Sequence, residues 1–151
     1  MSPQTDPLVR LEHEHTHFTG LVTALHEAVA AAEATGLNAE LHAELVEALR
    51  SIKDEFFFHF AREEEGLFPL VVADLPDLEP LVVPVTESHD RLSGLIGRMS
   101  FLAERGPAEL AAEVPSLVAL LARFDEAYTA HSQEELALLH ALDRRLVHEQ
   151  R

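Results

Sequence analysis

Cysteine is absent from this chain, which excludes disulfides, thiolate metal sites and cysteine nucleophiles together. Any metal held here must therefore use nitrogen and oxygen donors. Positive charge is scarce: 11 Lys and Arg stand against 27 Asp and Glu, for a formal net charge of −16. Such a field repels phosphate backbones and anionic lipid, so neither nucleic acid nor a membrane surface is expected as a partner. No apolar run approaches the roughly 18 residues that a membrane span needs. The first seven residues, Met1 to Pro7, carry neither a basic nor an apolar stretch of the signal-peptide kind, so a cytoplasmic location is expected. Strand-like alternation of apolar and polar residues is missing as well. Tyrosine occurs once, at Tyr128.

Histidine, in contrast, is abundant, with ten in 151 residues. The length suits one domain, expected to span 1–151 with residues 1–7 as a disordered tail. Apolar residues recur in steps of three and four throughout, which predicts an all-α chain. The expected helices cover about 8–34, 39–68, 84–105 and 114–147. Thr35-Gly36 stops the first, Asn38 caps the second, and Gly106-Pro107 closes the third. Gly66 and Pro69 should fray or kink the end of the second helix. Residues 74–80 are expected as a loop, the third helix should start near Pro84, and 107–113 should form a short helical turn. Four amphipathic helices with short links predict an antiparallel up-down-up-down four-helix bundle.

Following each apolar stripe by its own rhythm shows which polar residues fall inside. On the first helix the series 8, 11, 15, 18, 22, 25 places His15 inward, while His13 and His17 lie about 160° away. On the second, 52, 56, 59, 63, 67 places His59 and Glu63 inward and turns Glu64 and Glu65 outward. On the third, 85, 89, 92, 96 selects His89. On the fourth, 121, 124, 128, 131, 135, 138 selects Tyr128, His131 and Glu135, with Glu134 on the flank. His26 shares a face with His15 but sits about 16 Å further along the axis. His42, His140 and His148 fall off these faces or near helix ends.

A lone seam histidine is more often a hydrogen-bonded core residue than a ligand, and a lone His-x-x-x-Glu pair is weak. Convergence changes the balance. All four helices place polar groups in their seams, and two of them carry a carboxylate there. Without a cation these would be uncompensated buried charges, costing several kcal/mol each. The set His15, His59, Glu63, His89, His131 and Glu135 therefore reads as a buried dinuclear metal site. The halves of the chain also echo one another. The interval from His15 to His59 nearly equals that from His89 to His131, and Phe56 precedes His59 by three just as Tyr128 precedes His131.

At these residues the chain resembles the haemerythrin-like (HHE) family over nearly its whole length. The stretch His59-Phe60-Ala61-Arg62-Glu63-Glu64-Glu65-Gly66-Leu67-Phe68-Pro69 is very close to the family's second-helix motif. Glu14-His15 followed by Phe18, Leu21, Val22 and Leu25 matches the first, Ser88-His89-Asp90-Arg91-Leu92 the third, and His131-Ser132-Gln133-Glu134-Glu135 the fourth. The resemblance implies two iron ions, a non-haem di-iron centre with an oxo or hydroxo bridge, inside a four-helix bundle. It carries over the same six ligands. Zinc or manganese suits these donors too. Oxygen-carrying relatives have a further histidine one turn after the third-helix ligand, where this chain has Ser93. They also space the last histidine and an aspartate by five, whereas His131 and Glu135 are four apart. Fewer protein ligands leave more positions for a small ligand.

The expected function is thus binding of O2 or its reduced products, peroxide or NO, with peroxide-decomposing or related redox activity of a catalase-like or NO-detoxifying kind. Tyr128 is the candidate catalytic hydrogen-bond donor, set against its alternative as a core aromatic with a surface hydroxyl. The competing expectation is a non-catalytic oxygen or iron sensor, or an iron-storage module. A ferritin-like oxidase would need Glu-x-x-His on two helices. Only Glu12 and His15 comply, because Phe56, Thr86 and Tyr128 precede the other three histidines. The expected partner is a diatomic or peroxide ligand, and the chain is expected to be a monomer or weak homodimer.

Overall fold

The computed structural model describes the backbone of residues 7–149 and the side chains of residues 16–145. The expected tail therefore falls almost wholly outside the described residues, as do the side chains of His13, His15 and His148. Helix α1 spans Pro7–Thr35, α2 Ala39–Arg62, α3 Phe68–Asp74, α4 Glu79–Glu104, α5 Pro107–Ala112 and α6 Val114–Glu149. A single π-helical turn, Glu63–Leu67, joins α2 to α3, and a 3-10 turn, Pro76–Leu78, leads into α4. Among the described residues there is no strand, and no helix is long and apolar enough to cross a membrane.

Local chemistry sets the corners. Gly36 takes φ +82° and its N–H reaches Ala32 O at 3.0 Å, the left-handed cap that closes α1. Asn38 Oδ1 accepts from Leu41 N at 2.7 Å and opens α2. Gly106, at φ +124°, turns the chain into α5, where a Cβ would come within 2.6 Å of the Glu109 carboxylate. His42 Nε2 meets Ala103 O at 2.7 Å, satisfying one of the carbonyls that the end of α4 leaves without a helical partner.

The long helices pack as a ring, with α1 on α2, α2 on α4, α4 on α6, and α6 back on α1. Their inner faces form two apolar clusters. The larger contains Leu25, Leu49, Ile52, Phe56, Leu92, Ile96, Met99, Leu117 and Phe124. The smaller contains Phe68, Val71, Val82, Val85, Leu138 and Leu142. Each fully buried side chain of this kind contributes roughly 1.5–3 kcal/mol of transfer free energy. The 3-10 turn is tied to the end of α6 by Arg145, which donates to Asp77 and holds that carboxyl below its ordinary range.

Three sequence expectations are corrected here. The stretch at 74–80 is not a loop: α3 runs to Asp74, a 3-10 turn follows, and α4 starts at Glu79 instead of near Pro84. Pro80 sits in the first turn, where its missing N–H is not needed. Pro84 lies inside the helix, where buried Val82 and Val85 on either side hold the backbone. The second helix does not end at 68 but continues through the π turn. That extra residue advances the seam by one position, so Phe68 and Val71 are inside at 4% and 5% exposure while Leu70 is 63% exposed.

Candidate metal centre

Five of the six predicted ligands converge between the two apolar clusters. His59 and Glu63 come from α2 and the π turn, His89 from α4, and His131 and Glu135 from α6; all five are buried. His59 Nε2 is 2.9 Å from Glu63 Oε1 and 3.5 Å from Glu135 Oε1. His89 Nε2 is 3.2 Å from Glu63 Oε1. His131 Nε2 is 2.8 Å from Glu135 Oε2. Each carboxylate thus stands between two imidazoles, and His59 touches both. The sixth predicted ligand, His15, belongs to α1, but its side chain lies outside the described residues. Phe18, three positions further on, packs edge-on against His59 with ring centroids 4.9 Å apart.

The echo between the two halves persists in space. The His-x-x-x-Glu pairs of α2 and α6 close to nearly the same distance. Phe56 and Tyr128, each three residues before its histidine, stack with centroids 5.8 Å apart and planes at 20°.

Donor type and spacing both fit a cation. Bonds of about 2.1 Å at right angles place neighbouring donors about 3 Å apart, and the observed separations bracket that value. The set is all imidazole nitrogen and carboxylate oxygen, with no aliphatic amine or guanidinium among the five. Glu63 Oε1 and His89 Nε2 face each other at 3.2 Å without hydrogen-bond geometry, and neither has another hydrogen bond among the described residues. A buried carboxylate oxygen in that state is costly unless a cation joins it.

Titration in the bare protein reflects the same crowding. Burial opposes a charged His59, yet Glu135 and Glu63 outweigh it and raise the imidazole to about 10. Burial raises Glu63, reinforced by the like charge of Glu135 and opposed by His59. Burial lowers His89, against the pull of Glu64 and Glu135. A proton on His59 therefore partly neutralises the two carboxylates when nothing else does.

Other side chains complete the setting. Phe60 stacks on His89 with centroids 4.0 Å apart and planes at 15°, and Phe68 covers it further out at 6.0 Å. Ser88 Oγ lies 2.7 Å from His131 Nδ1. Glu64, expected outward, is half-buried and places Oε1 3.4 Å from His89 Nδ1. Its position follows from the π turn, in which successive residues rotate less than in an α-helix. The apolar rhythm of the sequence selects neither Ser88 nor Glu64. The signals were available, since Ser88 sits one residue from the predicted ligand in the same seam and Pro69 already implied a broken ladder beyond Glu64.

Tyr128 stands one turn before His131, stacked on Phe124 and Phe56. Burial raises its hydroxyl, with Glu135 adding to the effect, while hydrogen bonds to Thr19 and Ser132 act the other way. Its hydroxyl therefore lies between Thr19 of α1 and Ser132 of α6. His26 is elsewhere: its Nε2 is 2.6 Å from Asp125 Oδ1, linking α1 to α6. His17 is exposed, 3.7 Å from Glu55.

A sequence model of the family described as "Hemerythrin HHE cation binding domain" matches residues 6–142 of the chain. Comparisons with curated proteins and with solved structures give no match.

Proposed function

Since the chain belongs to the hemerythrin HHE cation-binding family, we propose that its buried donors hold two iron ions within an antiparallel up-down-up-down bundle and bind O2 or its reduced products there. The supporting observation is the alternation of imidazole and carboxylate, in which Glu63 lies between His59 and His89, and Glu135 between His59 and His131. His59, Glu63, His89, His131 and Glu135 would hold the ions, with His15 as the sixth ligand. Two iron ions would supply reversible electron transfer and open coordination positions for peroxide, O2 or NO.

The chain's own residues do the rest. The two apolar clusters on either side exclude water, which strengthens every electrostatic interaction inside. Phe60 and Phe68 fix the plane of the His89 ring. Tyr128 holds a proton on its hydroxyl at neutral pH, because its shift is upward, and is the proposed hydrogen-bond donor to a small ligand. Peroxide decomposition or related redox chemistry follows from this combination.

Metal analysis and optical spectroscopy of the purified protein test the assignment. The wild type is expected to bind two iron ions per chain and to absorb in the near ultraviolet. Glu63→Ala and Glu135→Ala should each remove that absorption and lower the iron content. Iron content and spectrum surviving both changes would mean that the ligand set is wrong. Peroxide turnover by the iron-loaded protein, compared with the same quantity of free iron, separates a redox enzyme from a sensor or storage module.

A further inference from the structure

We propose that Ser88 is a positioning residue for the metal centre, fixing the His131 imidazole so that Nε2 is presented to the ion. Ser88 is buried on α4, one residue before His89. Its hydroxyl donates to Val85 O at 2.7 Å, and the same oxygen lies 2.7 Å from His131 Nδ1 on α6. A serine hydroxyl has one hydrogen. Were that hydrogen turned toward His131, Ser88 Oγ and Val85 O would meet as two bare oxygens at 2.7 Å. With the hydrogen on Val85 O, Ser88 Oγ is an acceptor and Nδ1 must carry the proton.

The other side of the ring then calls for a cation. Nε2 lies 2.8 Å from Glu135 Oε2, so with the proton on Nδ1 two lone pairs face each other there, and a cation between them relieves the contact. Metal-ligating histidines generally donate their second N–H to a fixed acceptor, and loss of such acceptors weakens metal binding about 10- to 100-fold. Carboxylates and backbone carbonyls are the usual acceptors. Here it is a hydroxyl anchored on the backbone of the neighbouring helix, so α4 contributes His89 as a ligand and aims the ligand of α6. The inference rests on the metal reading above, because it concerns the state in which Nε2 coordinates.

Zinc is the probe, being diamagnetic. Zinc stoichiometry, the rate of zinc release to a chelator, and the NMR signal of the His131 Nδ1–H are measured for wild type, Ser88→Ala and Ser88→Thr. In the wild type the Nδ1–H is expected to be visible and protected from solvent exchange. Ser88→Ala should remove that protection and speed zinc release about 10- to 100-fold, and Ser88→Thr, which keeps the hydroxyl, should restore both. A merely structural serine would lower the melting temperature of the zinc-free protein and leave exchange and release unchanged. That result overturns the proposal. If Ser88→Ala fails to fold, an exchange-labile Nδ1–H in the zinc-loaded wild type overturns it equally. A wild type that takes up no zinc or iron instead refutes the metal centre itself, so the two failures are told apart.

Discussion

At the scale of single residues, the centre is a competition between protons and cations for one set of lone pairs. His59 carries the clearest mark of it, raised to about 10 by Glu135 and Glu63 against the opposing effect of burial. Across the neutral range the bare protein therefore keeps a proton on His59, and a cation that coordinates Nε2 must expel it. The sign follows directly: metal affinity rises with pH while His59 in the bare protein remains protonated, and flattens above about 10. One displaced proton makes the apparent affinity climb tenfold per pH unit, or about 1.4 kcal/mol. Glu63, also raised, adds a further fraction at the acid end. Zinc titrations between pH 6 and 8 should show at least that slope, and an affinity independent of pH would remove His59 from the ligand set. The same competition explains why the buried carboxylates were legible in the sequence. Glu63 and Glu135 interrupt stripes of Leu, Ile and Phe, where a charge is tolerated only beside a partner. Ser88 interrupts its stripe less audibly, because a buried serine that bonds its own helix is unremarkable until His131 is seen beside it.

At the scale of elements, the π turn is the feature that periodicity alone could not place. Helical rhythm carried correctly from Leu45 through Glu63, and continued at the same step it selects Leu67 and Leu70. The chain instead buries Phe68 and Val71. Pro69 cannot donate to the carbonyl one α-turn back, and a wider turn in which Phe68 N reaches Glu63 O absorbs the mismatch. The sequence signalled a break at Gly66 and Pro69 but not its direction, because a kink, a fray and an inserted residue share the same residues. The two phases make opposite predictions. Phe68→Ala is expected to cost about 3–5 kcal/mol in a denaturant titration, and Leu70→Ala to stay within about 0.5 kcal/mol. A continuous α-helix would reverse that order. The start of α4 failed for a related reason. Pro84 looks like a first-turn proline, yet Pro80 already holds that place and the burial of Val82 extends the helix back to Glu79. The other ends were legible, since Gly36, Asn38 and Gly106 act through backbone chemistry that depends on no distant contact.

At the scale of the whole molecule, a net charge of −16 and a pocket holding two carboxylates both favour a bound cation over the bare chain. The long-range field draws divalent ions toward the surface, an effect that salt screens within about 10 Å at 0.1 M. Metal uptake should therefore slow as ionic strength rises, while release from the buried site should hardly change. The ring of helices has its apolar clusters on both sides of the centre, so the charges there cannot be relieved by moving one side chain into water. Their cost is borne by the fold, and a cation that binds only the folded state returns it as stability. At a thousandfold excess over Kd that linkage is worth about 4 kcal/mol. For a chain of this size each kcal/mol moves Tm by roughly 2–4 °C, so saturation with iron or zinc should raise Tm on the order of 10 °C. Calorimetry of the metal-free and loaded protein measures it, and Glu63→Ala provides the control. Compared with its own metal-free form, the variant should gain little from added metal. A wild type and a variant stabilised alike would mean that the ions bind the acidic surface and leave the centre of the bundle untouched.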